Sequence, residues 1–66
     1  MQPLADGLVA VIGSGQIDVW NIEEARRLAR RELGYGVRLS AVVGGKELLL
    51  VSLDSDFHYL ALPGLE

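Results

Sequence analysis

Trp20-Asn21-Ile22-Glu23-Glu24-Ala25-Arg26-Arg27-Leu28-Ala29-Arg30-Arg31-Glu32-Leu33-Gly34 is the stretch on which the fold turns. Asn21 stands where a helix N-cap belongs. Its side-chain oxygen can accept from a free first-turn amide, and Glu24 follows three residues later, as in a capping box. Trp20 before the cap and Ala25 after it are spaced as a hydrophobic staple. Ile22, Ala25, Leu28, Ala29 and Leu33 then recur at helical spacing and form one apolar stripe. Gly34 supplies the residue that commonly closes a helix in the left-handed conformation. The stretch reads as a helix over residues 22–33.

Upstream lie two apolar, β-branched runs, residues 8–12 and 16–20, joined by Gly13-Ser14-Gly15. Runs of this kind across a short glycine loop read as a β-hairpin. A three-residue loop sets Val11 opposite Ile17 and Val9 opposite Val19, with Leu8, Ala10, Asp18 and Trp20 on the other side. Gly13-Ser14-Gly15 is read as this turn and not as a nucleotide loop. The dinucleotide fingerprint needs a third glycine where Asp18 stands, and a phosphate loop needs Gly-Lys-Ser/Thr.

Downstream, residues 37–43 and 46–53 flank Gly44-Gly45, a two-residue turn that pairs Ala41 with Leu48 and Leu39 with Leu50. That face, with Val37 and Val43, is the natural seat for the helix. The opposite face carries Arg38, Ser40 and Glu47, but also Val42, Leu49, Val51 and Leu53. A sheet with water on one side does not ordinarily present so many aliphatic side chains there. Val42, Leu49, Val51 and Leu53 are therefore the candidate surface for another chain. Residues 57–62 read as a short edge strand stopped by Pro63-Gly64, or as a cover over the same outer face. The expected fold is α+β, a β-β-α-β-β order in which one helix packs on an antiparallel sheet of two hairpins, with residues 1–66 as a single domain.

Composition narrows the functional classes. A chain of 66 residues has a thin margin of stability, and small folds offset this with disulfides, a metal or association. Cysteine is absent, which removes disulfides and most zinc sites and suits a cytoplasmic setting. Half the residues are apolar, which favours burial against another chain. The N-terminal ten residues lack the basic and long apolar regions of a signal peptide, and no apolar run, residues 48–51 included, is long enough to span a bilayer. No membrane association is expected. The net charge of −3 argues against general nucleic-acid binding.

Three constellations carry chemistry. Arg26, Arg27, Arg30 and Arg31 lie on the helix face away from the apolar stripe, spaced to grip phosphates or a partner's carboxylates. The plain alternative is a solvated face, with Glu23 paired to Arg27. Asp54, Asp56 and His58 alternate, so in a strand they share a side and offer oxygen and nitrogen ligands; a turn with solvated side chains is the simpler reading, and no metal or other cofactor is assigned. His58 is the only histidine, and Ser14, Ser40, Ser52 and Ser55 lack a nucleophile-elbow context, so the chain is expected not to be an enzyme.

Residues 16–28, from Gln16-Ile17-Asp18-Val19-Trp20-Asn21 through Arg27-Leu28, resemble a strand and following segment in the N-terminal domain of archaeal tRNA-splicing endonuclease subunits. Val51-Ser52-Leu53, Tyr59-Leu60 and Gly64-Leu65-Glu66 resemble that domain's Ser-Leu, Tyr-Leu and Gly-x-Leu-Glu landmarks. The resemblance implies a non-catalytic structural fragment that binds RNA-processing partners. The family's catalytic Tyr, His and Lys belong to a C-terminal domain outside the match. Taken from the residues themselves, the expected function is a small interaction module that self-associates as a homodimer or joins another protein subunit. The second reading is an RNA- or DNA-associated accessory protein acting through the arginine face.

Overall fold

The computed structural model describes residues 1–65. Seven strands follow one another: β1 (Gln2–Pro3), β2 (Leu8–Ile12), β3 (Gln16–Asn21), β4 (Arg26–Glu32), β5 (Val37–Val43), β6 (Glu47–Ser52) and β7 (Phe57–Ala61). They form two antiparallel sheets, β1-β2-β3-β4 and β5-β6-β7, in chain order. The fold is all-β, and the α+β expectation is corrected: there is no helix among the described residues.

The correction falls on residues 22–33. Asn21 Oδ1 does accept from the Glu24 amide, at 3.1 Å, the contact expected of an N-cap. The same bond closes an Asx turn, and locally the two are indistinguishable. Ala25 decides the outcome. Its amide donates to the Ile22 carbonyl at 3.3 Å and its φ is 52°, so the backbone leaves the right-handed region after one turn. The chain then runs back along β3 as β4. As a helix, the apolar stripe would bury two alanines among its five positions. As a strand, residues 26–32 satisfy the open backbone edge of β3 and set Ala29 opposite buried Val19. Tertiary pairing overrides the helix preference of Arg, Leu and Ala. A bulge between Val19 and Trp20 absorbs Leu28.

Both glycine-marked hairpins form, each one residue out of the expected register. In the first, Gly13 N–H donates to the Gln16 carbonyl at 2.9 Å, so the turn proper is Ser14-Gly15, with Gly15 at φ 81°. Ile12 then pairs Ile17 and Ala10 pairs Val19, while Val11 meets Asp18 and Val9 meets Trp20. In the second, Gly44 and Gly45 both take positive φ, and Lys46 enters the connection as a third residue. Leu49 therefore faces Ala41, and Leu48 faces Val42. A one-residue slip exchanges the two faces of a strand.

The sheets stack on one core. Ala10, Ile17 and Val19 of the first sheet and Leu48, Leu50 and Leu60 of the second are at most 4% exposed, and Leu65 closes one end. Leu8, Ile12, Ala29, Val37 and Val42 pack around them. Each fully buried aliphatic side chain contributes about 1.5–3 kcal/mol. The total accessible surface, 4225 Å², is close to the ~4,100 Å² expected for a folded monomer of this mass. The chain is thus as compact as its mass requires, and what distinguishes the molecule is the chemistry left on its outer faces.

Candidate functional site

The outer face of the second sheet is built by strand alternation. Leu39 and Ala41 on β5 pair Val51 and Leu49 on β6, which in turn pair Phe57 and Tyr59 on β7. Opposite the core this gives a continuous apolar surface across three strands, ending at Val43 beside Glu47. Phe57 is 62% exposed, Tyr59 53% and Leu39 49%, whereas Val51 is enclosed by its neighbours and Leu49 is half-buried.

The four residues expected to form a contact surface are divided by the observed register. Leu49 and Val51 lie on this outer face. Val42 opposes Leu48 and packs on the core, while exposed Leu53 follows the end of β6 and rests against Gly36. Pairing of β7 shelters Leu49 and Val51 laterally, and it brings Phe57 and Tyr59 into the open beside them. Phe57 and Tyr59 were missed by the sequence reading. Their period-two spacing, on a strand stopped by Pro63, was the signal that could have found them.

β4 disperses the arginines. Arg30 Nε sits 3.1 Å from Asp18 Oδ1 on the outer face of the first sheet, without the alignment of a hydrogen bond. Arg31 turns toward the core side and donates from Nη1 to the Leu65 carbonyl at 2.9 Å. Arg26 lies 3.8 Å from Glu24, in solvent. The single cationic helix face expected for Arg26, Arg27, Arg30 and Arg31 does not exist, because strand geometry sends neighbouring residues to opposite sides. What these residues make instead is a charged strand at the sheet's edge.

The candidate metal ligands are not assembled. His58 faces inward and stacks on Tyr35, with ring centroids 4.0 Å apart and planes 12° from parallel. The Asp56 amide donates to Ser52 Oγ, and Asp54 belongs to the turn before it. Among the described residues no three His, Cys, Asp or Glu side chains are grouped as a metal would require. Burial pushes the Tyr35 phenol above its ordinary pKa, and the nearby Arg31 charge acts in the opposite direction.

A cavity of 190 Å³ opens between Leu4, Ala5, Asp6, Leu8, Gly45, Leu62 and Pro63. It is smaller than the ~300 Å³ at which ligand pockets begin, and Asp6 is the one ionisable group lining it. Ser40 Oγ donates to Gln2 Oε1, Ser52 Oγ accepts from Asp56, and Ser55 Oγ accepts from Arg38. These contacts tie loops and strands together and bring no base to a hydroxyl. Among the described residues no helix is long and apolar enough to cross a membrane, a statement that concerns helices alone. Glu66, the last residue of the Gly-x-Leu-Glu landmark, lies outside the described residues.

No family model, curated protein or solved structure matches the chain.

Proposed function

We propose that the chain is a non-enzymatic interaction module that self-associates through the outer face of its second sheet. The observation that carries this reading is the exposed row of Phe57, Tyr59 and Leu39 flanking Leu49 and Val51. Two aromatic side chains standing in water on one face of a sheet are costly to leave unpaired, since each has some 150–250 Å² to bury. Contiguous apolar surface of this kind marks an interaction site.

Size sets the strength. Three strands about 4.8 Å apart and 5–7 residues long give a footprint of roughly 14 by 20 Å. That is small beside the ~800 Å² per partner of a standard stable interface. The association is therefore weak and concentration-dependent. Sedimentation equilibrium across micromolar concentrations tests it. The wild-type chain is expected to associate, and Phe57→Glu to remain monomeric with an unchanged far-ultraviolet spectrum. A wild-type monomer at the highest concentration overturns the proposal.

A further inference from the structure

The first three strands of the first sheet and the three strands of the second follow one plan, with β4 as an addition to the first. Gly15 and Ser55, forty positions apart, both take positive φ in the turn of a hairpin (81° and 68°). Ala25 and Leu65, again forty apart, do so in the turn that follows (52° and 61°). The amide of Ile22 donates to Gly7 at 3.1 Å, and that of Leu62 to Lys46 at 2.8 Å. The hairpins close with matching bonds, Gly13 to Gln16 and Ser52 to Asp56, each 2.9 Å, around two residues in the first and three in the second. Ile12 paired with Ile17 thus corresponds to Val51 paired with Phe57, and Ala10 with Val19 to Leu49 with Tyr59.

This correspondence has a consequence for the faces. The inner face of the first sheet is equivalent to the outer face of the second. Conversely, Val9, Val11, Asp18 and Trp20 on the outer face of the first sheet are equivalent to Leu48, Leu50, His58 and Leu60, of which the three leucines pack against the first sheet within the chain. We infer that a second copy of this chain docks head to tail, laying the outer face of its first sheet on the outer face of the second sheet. This rests on the self-association proposed above and changes its symmetry, because the two contacting surfaces are different. Val11 is 40% exposed and Val9 and Trp20 are half-buried, so the apolar part of this donor face is accessible, while Asp18 among them is 8% exposed beside Arg30. The signs are also complementary, with Arg27 beside one face, where Asp18 already neutralises Arg30, and Glu47 on the other.

A heterologous contact repeats until it closes into a ring or continues as a filament. Radial repetition of small antiparallel sheets, as in propeller architectures, is one closed form of such stacking. Each unit would then be buried on both faces by its neighbours, as repeat proteins require.

The test uses two variants of the full chain, Val11→Glu on the donor face and Phe57→Glu on the acceptor face. Both sites are exposed, and circular dichroism checks that each variant folds. Head-to-tail docking predicts that either variant alone loses every assembly larger than the monomer. An equimolar mixture regains a species of twice the monomer mass and nothing larger, because one intact donor meets one intact acceptor. Should a variant fail to fold alone, recovery of that same two-chain species on mixing supports the docking equally, and failure of the mixture to form it overturns it. If Val11→Glu associates as the wild type does while Phe57→Glu does not, the contact joins like faces and the head-to-tail arrangement is wrong, though self-association stands. If the wild type itself is monomeric, both fail together.

Discussion

Ile17 and Phe57 hold the same position in the two hairpins, yet Ile17 is wholly buried and Phe57 is 62% exposed. Nothing local separates them, since each faces an aliphatic residue across its hairpin, Ile12 or Val51. The difference is the neighbour. The first sheet has the second stacked on it, whereas no described residue covers the corresponding face of the second. The sheet edges differ in the same sense. β3 is covered by β4, whose arginines discourage further pairing, while β7 ends its sheet as Phe57-His58-Tyr59-Leu60-Ala61, without a Lys, Arg, Asp or Glu. Charge on an edge strand is a common defence against uncontrolled association, and its absence marks β7 as the vulnerable side.

The widest gap between the two positions should appear in truncation. Ile17→Ala empties a fully buried site and is expected to cost about 2–5 kcal/mol, enough to unfold much of so small a domain. Phe57→Ala, in a solution dilute enough to hold monomers, should cost less than about 0.5 kcal/mol. Urea denaturation of both variants at low concentration checks the pair. Equal losses would mean that Phe57 is buried by its own chain, and the distinction between the sheets would collapse.

Asp18 and His58 form the next comparison. Both are polar residues on the face equivalent to the one that packs, but His58 lies against Tyr35 and Asp18 against Arg30. The Asp18 side chain is only 11% exposed, so removing its counter-charge leaves a largely desolvated carboxylate. Arg30→Gln should lower stability by about 1–2 kcal/mol, with most of that regained when Asp18→Asn is added. A thermal melt of the single and double variants at neutral pH reads it. If the single variant melts with the wild type, the pair is a solvated surface contact.

The sequence was most legible where glycine marks a bend, and least where one local bond serves two structures. Gly13, Gly15, Gly44 and Gly45 located both hairpins, but the turn fixes register only to within one residue, Gly13 leaving the first loop and Lys46 joining the second. That single residue moved Val42 to the core side. Asn21 with Glu24 reads as a cap because the bond is the same in an Asx turn, and the stripe from Ile22 to Leu33 extends that reading. What was illegible was the demand of β3's open edge, a property of the pairing and not of residues 26–32 themselves. The forty-residue correspondence was equally hidden. Leu8–Ile12 and Glu47–Ser52 share hydrophobicity and extended form but, at corresponding positions, no identities.

A smaller effect tests the turns that define the repeat. Ala25 and Ser55 hold left-handed backbone that costs an L-residue about 1–2 kcal/mol; glycine would relieve that strain, and the greater freedom it gives the unfolded chain would offset part of the gain. Ala25→Gly and Ser55→Gly should each stabilise the fold by about 0.5–1 kcal/mol. Leu65 takes the same conformation as Ala25 but is 2% exposed, so Leu65→Gly should destabilise instead, as burial outweighs strain. Destabilisation by Ala25→Gly would show that residue 25 is not left-handed, and would reopen the path from turn to helix.

The smallest effect concerns Tyr35, which connects the two units. It lies between β4 and β5, stacks on His58 of the second sheet, and feels the charge of Arg31 on the first. Because burial raises its folded pKa above the unfolded value near 10, the folded state holds the phenolic proton more tightly. That contribution is fully present below pH 10 and is lost as pH rises through the folded pKa. Tyr35→Phe should abolish this part of the alkaline loss of stability. Arg31→Gln should move the phenolate absorbance of Tyr35 to still higher pH, since the guanidinium favours the phenolate. An Arg31→Gln titration that coincides with the wild type would mean that the two sheets do not sense each other across this residue, and the single core joining the units would lose its electrostatic signature.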